Sequence, residues 1–279
     1  MTSPIVGRLR VDGATLRYEV RGSGPLLLLI PGGTGGAAAY DGVADGLAAE
    51  YTVASYDPRG LSRSPLDDPE AEQRVARHAD DAVRLLDLLS PDAPARVAGC
   101  SSGAIVALHL LTTHPERVER VVAHEPPVVE VLPDAAEHRA LLARVADTFR
   151  REGLMPAAAV FAAGLRRPGD PVEPPAAIAP PPGRALTDMS YFLGRIVPSF
   201  MAYRPDVDRL AALSDRLVLA AGTDSVGELP YRPAAFLAER LGTELVHFPG
   251  GHVGLTTHPA EFGETLRAVL SAQRPITRR

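Results

Sequence analysis

The chain has 279 residues, 46% hydrophobic and 23% charged, globular values that exclude a disordered chain unable to offset its ordering entropy. One cysteine and no G-X-Y period exclude a disulfide scaffold and a collagen. The net charge is −5 and all 29 basic residues are dispersed arginines, so no basic stripe offers a nucleic-acid footprint.

The first twenty residues alternate polar and apolar and contain no apolar targeting segment. Residues 9–20 predict a hairpin turning at Asp12-Gly13. The run Leu26 to Ile30 predicts a strand covered on both faces and is far too short for a membrane span. A cytoplasmic protein without membrane contact is the expectation. The run opens into Pro31-Gly32-Gly33-Thr34-Gly35-Gly36, a glycine-rich loop. A strand over 51–56 follows, then a helix over 73–89, with Val75, Ala79, Ala82, Val83, Leu85, Leu86 and Leu89 near helical spacing. Residues 96–98 predict a strand, 104–111 an apolar helix and 118–123 another strand. Strand–helix alternation returns at 217–221, 232–241, 243–248 and 259–272. The fold class is therefore α/β, with a mostly parallel sheet flanked by helices.

The alternation breaks over 127–210. Helical stretches at 135–150, 154–164 and 186–202 surround a proline-rich segment, Pro168 to Pro182. We read 127–210 as an inserted helical cap on a core formed by 1–126 and 211–279. Its aromatic and methionine side chains suit a lid that keeps water from a reaction site. No internal repeat and no metal-ligand spacing is present.

Gly99-Cys100-Ser101-Ser102-Gly103 is a G-x-S-x-G between a predicted strand and a predicted helix. A tight turn there exposes Ser101 at the sheet's carboxyl edge, and the helix N-terminus favours developing negative charge. The same serine could simply cap the helix. A serine nucleophile needs a base. His252, in Pro249-Gly250-Gly251-His252 after the last predicted strand, stands where open α/β sheets gather their catalytic groups. His109, His114 and His258 read as packing, surface or cap residues, and His78 and His138 as solvated helix faces. The amides of Gly33 and Ser102 are the candidate oxyanion donors. Cys100 reads as a small buried filler, and Asp57-Pro58-Arg59-Gly60 as structural support for the glycine-rich loop.

The glycine-rich loop, the stretch Tyr56 to Pro65, Gly99 to Ala104 and Pro249 to His252 together resemble the α/β-hydrolase superfamily over nearly the whole chain. More narrowly, Gly99 to Ala104 followed by His124-Glu125-Pro126-Pro127 resembles the zearalenone lactonases and their bacterial relatives. The resemblance implies an α/β-hydrolase fold and a serine hydrolase that cleaves a small-molecule carboxylic ester or lactone through an acyl-enzyme. It implies no cofactor and no metal, and it implies Glu125 as the triad acid. Two prolines after Glu125 would hold that carboxylate rigidly. Asp224 is the alternative. It follows the seventh strand, where most α/β hydrolases carry the acid, but stands one residue early in Gly222-Thr223-Asp224 and is followed by no proline before Pro230. Other functions compatible with the same residues are a ligand-binding or receptor-like protein with little turnover and a cofactor-free haloperoxidase or perhydrolase. Epoxide hydrolase and haloalkane dehalogenase chemistry is disfavoured, because it needs a carboxylate where Ser101 stands. A homodimer remains open.

Overall fold

The computed structural model describes residues 3–167, 169–170 and 183–272. Its centre is an eight-stranded sheet of order β1-β2-β4-β3-β5-β6-β7-β8. The strands are β1 (Ile5–Val11), β2 (Ala14–Arg21), β3 (Leu26–Ile30), β4 (Thr52–Tyr56), β5 (Ala95–Cys100), β6 (Val118–His124), β7 (Leu217–Gly222) and β8 (Leu245–Phe248). The first two form the predicted hairpin, with Val11 opposite Ala14 across Asp12-Gly13. β2 runs antiparallel to β4, and every later pairing is parallel.

The helices, in chain order, are α1 (Asp41–Leu47), α2 (Val75–Leu89), α3 (Ser102–Thr113), α4 (Ala135–Glu152), α5 (Leu154–Leu165), α6 (Arg184–Tyr191), α7 (Val197–Met201), α8 (Val207–Ala212), α9 (Tyr231–Leu241), α10 (Gly254–Thr257) and α11 (Pro259–Ser271). β3 explains why five consecutive apolar residues make a strand. Leu26, Leu28 and Ile30 enter the cluster with α2 and α3, while Leu27 and Leu29 enter the opposite cluster with α1 and α11. Side chains alternate across a strand, so a sheet covered on both faces requires an unbroken apolar run. Each fully buried leucine contributes about 1.5–3 kcal/mol. α3 is buried on nearly every side, as a helix without a polar face must be.

The chain turns from β3 to β4 on one side and to β5 on the other. The crevice beyond the carboxyl ends of β3 and β5 is therefore the topological switch point, where α/β sheets bind ligands. Helices α4, α5 and α7 form a third apolar cluster with Leu193, Val129, Leu132 and Leu229. α8 belongs with the sheet, since Leu210 enters the α2–α3 cluster. Between α6 and α7 the helix widens into a π turn, Phe192–Ile196. Pro198 accounts for it: proline cannot donate to the Gly194 carbonyl, and its ring crowds that carbonyl. Most of the proline-rich segment Pro168 to Pro182 lies outside the described residues.

Two helix-face histidines depart from expectation. His78 is buried, with Nε2 3.2 Å from Gln73 Oε1 and its ring edge-on to Phe200. His138 is also buried, with Nε2 3.3 Å from Asp134. Each faces neighbouring packed elements that spacing along its own helix cannot reveal.

Candidate active site

β5 ends at Cys100 and α3 begins at Ser102, so Ser101 alone makes the turn, with φ of 53° and ψ of −123°. A non-glycine residue in that region is strained and persists only where the surroundings impose it. Here the Ser101 amide donates to the His124 carbonyl at 2.9 Å, tying the turn to the end of β6. The turn also depends on a missing side chain: a Cβ on Gly103 would stand 2.2 Å from the Ile30 carbonyl oxygen. On the facing loop, a Cβ on Gly32 would meet the Cys100 carbonyl oxygen at 2.2 Å. These contacts bring the glycine-rich loop against Ser101.

Glu125 follows β6, again with positive φ, at 48°. Its amide donates to Ala220 O at 2.9 Å, so the residue is anchored to β7. Its buried carboxylate accepts from the Gly222 amide at 2.8 Å and from the Ser225 hydroxyl at Oε1, while Oε2 lies 2.6 Å from His252 Nδ1. His252 Nε2 lies 3.1 Å from Ser101 Oγ. Burial opposes ionisation of Glu125. The His252 hydrogen bond, the His252 and His124 rings and the Ser225 hydroxyl outweigh it and hold the carboxyl below the usual glutamate range. An ionised carboxylate can only accept, so Nδ1 carries the proton and Nε2 is free to accept from Ser101.

The structure thus brings Ser101, His252 and Glu125 into one hydrogen-bonded row. Asp224 stands apart from it, exposed, with its carboxylate 3.4 Å from the Thr223 hydroxyl. Ser102 and Gly33 both border the same cavity, but the Gly33 amide donates to Ser102 Oγ at 3.1 Å. Cys100 borders the cavity rather than lying wholly in the core, and desolvation pushes its thiol up to about 12. Asp57 supports the glycine-rich loop: fully buried, it accepts from the Ala37 amide at 2.8 Å and from Arg63 Nε at 2.7 Å. Arg59 pairs with buried Asp81.

Above Ser101 lies a cavity of about 510 Å³. Phe161, Met189, Phe192, Phe200 and Met201 line it, together with Leu193, Ile196 and Val197. Among the described residues, its polar side chains are those of Ser101, Ser102, Thr34, His252 and Thr256, with the Cys100 thiol beside them. No arginine, aspartate or glutamate among the described residues faces it. Among the described residues no cluster of His, Cys, Asp and Glu could hold a metal, and no helix is long and apolar enough to cross a membrane.

His124 is a feature the sequence reading missed. Its ring packs edge-on against Phe248 and Phe262, and among the described residues neither ring nitrogen has a hydrogen-bond partner. Burial pushes its pKa down to about 4, with Glu125 opposing. The unfolded chain binds that proton near the ordinary histidine value of about 6.5. Between those values the unfolded state holds more protons, so stability is lost as pH falls from about 6.5 toward 4, by on the order of 3 kcal/mol from this group. Melting temperatures across that range check the expectation. His124→Phe should make the fall shallower without lowering the melting temperature near neutrality; an equally steep fall would reject it.

A mostly parallel sheet with a strained serine turn at its switch point, facing a histidine and a buried carboxylate, defines a hydrolase-type α/β enzyme. Residues 25–172 match the family described as alpha/beta hydrolase fold. The Bacillus subtilis (strain 168) protein named uncharacterized hydrolase YraK is 37% identical over 277 residues, covering 97% of this chain and 98% of that protein. The chain belongs to the α/β-hydrolase family. Zearalenone hydrolase of Bionectria ochroleuca is 35% identical over 119 residues, 42% of this chain and 45% of that protein. Among solved structures, a thermophilic esterase from Thermogutta terrifontis superposes with a TM-score of 0.70 at 20% identity, covering 96% of this chain and 98% of that one. The enol-lactonase from Burkholderia xenovorans LB400 gives 0.67 at 19% identity, covering 95% and 100%. These two show the shared fold.

Proposed function

We propose that the protein is a serine hydrolase that cleaves a neutral, largely apolar carboxylic ester or lactone. The observation that carries this reading is the row Ser101–His252–Glu125 beneath an apolar cavity. Ser101 Oγ attacks the carbonyl carbon as His252 Nε2 takes its proton. The Ser102 and Gly33 amides receive the oxyanion; for Gly33 this requires the Ser102 hydroxyl to turn aside. His252 returns the proton to the leaving alcohol oxygen. Water, deprotonated by the same nitrogen, then releases the acid and restores Ser101. Within segment 127–210, helices α4 to α7 serve as the cap, and their side chains exclude water and hold the substrate's apolar part. The partial match to a zearalenone hydrolase supports the ester or lactone class. A single cysteine fits a cytoplasmic location, and the partner is the small-molecule substrate.

Among the described residues the cavity lining offers no cation to balance a carboxylate. On p-nitrophenyl esters, kcat/KM should rise by up to about fourfold per added methylene, the full transfer free energy of a buried CH₂, until the chain outgrows the cavity. An ester of equal length ending in a carboxylate should be at least about a hundredfold poorer, because burying an unpaired charge costs several kcal/mol. Preference for the charged ester would overturn the substrate class. A fluorophosphonate probe should label one residue per chain, Ser101. Labelling elsewhere, or none in a folded sample, would overturn the nucleophile.

A further inference from the structure

We infer that Ser225 is a positioning residue of this site: its hydroxyl, with the Gly222 amide, holds the Glu125 carboxylate so that one oxygen faces His252 Nδ1. The inference rests on the triad reading above. Glu125 starts at the end of β6 and reaches to the loop after β7. Its backbone fixes where the side chain begins, and its flexible side chain leaves the carboxylate's orientation to its partners. Oε1 takes two donors, the Gly222 amide at 2.8 Å and the Ser225 hydroxyl, and Oε2 remains for His252 at 2.6 Å. Ser225 is fully buried, at 0% exposure, so bulk water cannot substitute for it.

The hydroxyl has one proton and two acceptors within reach, Glu125 Oε1 and the Gly222 carbonyl at 3.1 Å. The charged acceptor is preferred, because charge-assisted hydrogen bonds are the stronger ones. If Glu125 gains a proton, the hydroxyl can turn to the Gly222 carbonyl and accept from the carboxyl. The ionised form, with charge on Oε1, receives both donors most strongly. The clamp is also fixed relative to the base. Thr223 donates to Phe248 O at 2.9 Å and Asp224 to Gly250 O at 3.0 Å, joining the Ser225 loop to the loop that carries His252.

The charged and titratable groups around Glu125 are His124 ending β6, Cys100 ending β5, Glu228 in the loop after β7, and His252. Burial works against the Glu125 charge, and the Ser225 bond is one of the interactions opposing that penalty. Its loss should make Glu125 ionise at higher pH.

The test compares Ser225→Ala and Ser225→Cys with the parent on a short p-nitrophenyl ester, with Ser101→Ala as control and thermal melts as the folding check. Ser225→Ala should lower kcat by about tenfold or more, the value of a hydrogen bond to a charged group, with KM within about twofold. The acid limb of its kcat/KM profile should move up in pH. Ser225→Cys keeps the volume with a weaker donor and should fall between. Parent-like kcat with an unmoved limb in Ser225→Ala overturns the inference. So do two equally slowed variants with unmoved limbs, which would mean packing alone. If Ser225→Ala does not fold, Ser225→Cys carries the same comparison, and parent-like behaviour there overturns the inference. An active Ser101→Ala instead overturns the triad reading. An inactive Ser101→Ala beside a parent-like Ser225→Ala rejects the Ser225 inference alone.

Discussion

Ser101→Ala should abolish ester turnover, lowering kcat by on the order of 10⁶, the loss found when a triad serine is removed from another hydrolase. The melting temperature should stay close to the parent's. The change removes one oxygen at the cavity floor and leaves the Ser101 amide bonded to His124, so the strained turn keeps its anchor. His252→Ala should be about as slow, because a serine without a base to take its proton is a poor nucleophile at neutral pH. The double variant should be no slower than either single one, since groups acting as a unit lose their effect together. Kinetics on all three proteins, with fluorophosphonate labelling alongside, check this. Losses that multiply in the double variant would separate Ser101 from His252. Substantial activity in Ser101→Ala, after contaminating esterase is excluded, would remove Ser101 from the reaction.

The elements around Ser101 are legible because each rests on local chemistry. Leu26 to Ile30 is a short unbroken apolar run that suits a strand covered on both faces, and the small residues from Gly99 to Gly103 suit a tight turn. His252 is found by its place after the last strand. What the sequence hides depends on contacts between distant segments. Nothing near His78 signals that Phe200, more than a hundred residues later, will cover it. The π turn at Phe192–Ile196 follows from Pro198, but its effect, turning Phe192 and Ile196 to the cavity, needs the packed helices. Ser225 reads as an ordinary loop serine until β6 and β7 lie side by side. The Gly33 amide likewise looks free in the sequence and meets Ser102 Oγ only when the loop folds over α3.

Glu125→Gln should cost on the order of 10⁴ in kcat, the precedent for a triad histidine whose carboxylate has become an amide. The geometry explains why the loss falls on the chemistry and not on the fold. The Gly222 amide is a fixed donor aimed at Oε1, so that position must hold an acceptor. A glutamine there places its carbonyl oxygen toward Gly222 and its NH₂ toward His252 Nδ1. An NH₂ group cannot accept, so Nδ1 must give up its proton and accept instead. Nε2 then carries the proton and can no longer take one from Ser101. The carboxamide keeps the carboxylate's shape and its Gly222 hydrogen bond, so melting should change little. Asp224→Asn should stay near parent activity, with stability within about 1 kcal/mol, since it alters an exposed side chain whose neighbour is the Thr223 hydroxyl. The two variants assayed side by side on one ester, with folding checked by circular dichroism, give the ordering. An inactive Asp224→Asn beside an active Glu125→Gln would move the acid to the β7 loop. Equal intermediate losses would mean that both carboxylates act on His252, and the tautomer argument from Gly222 would then fail with the assignment.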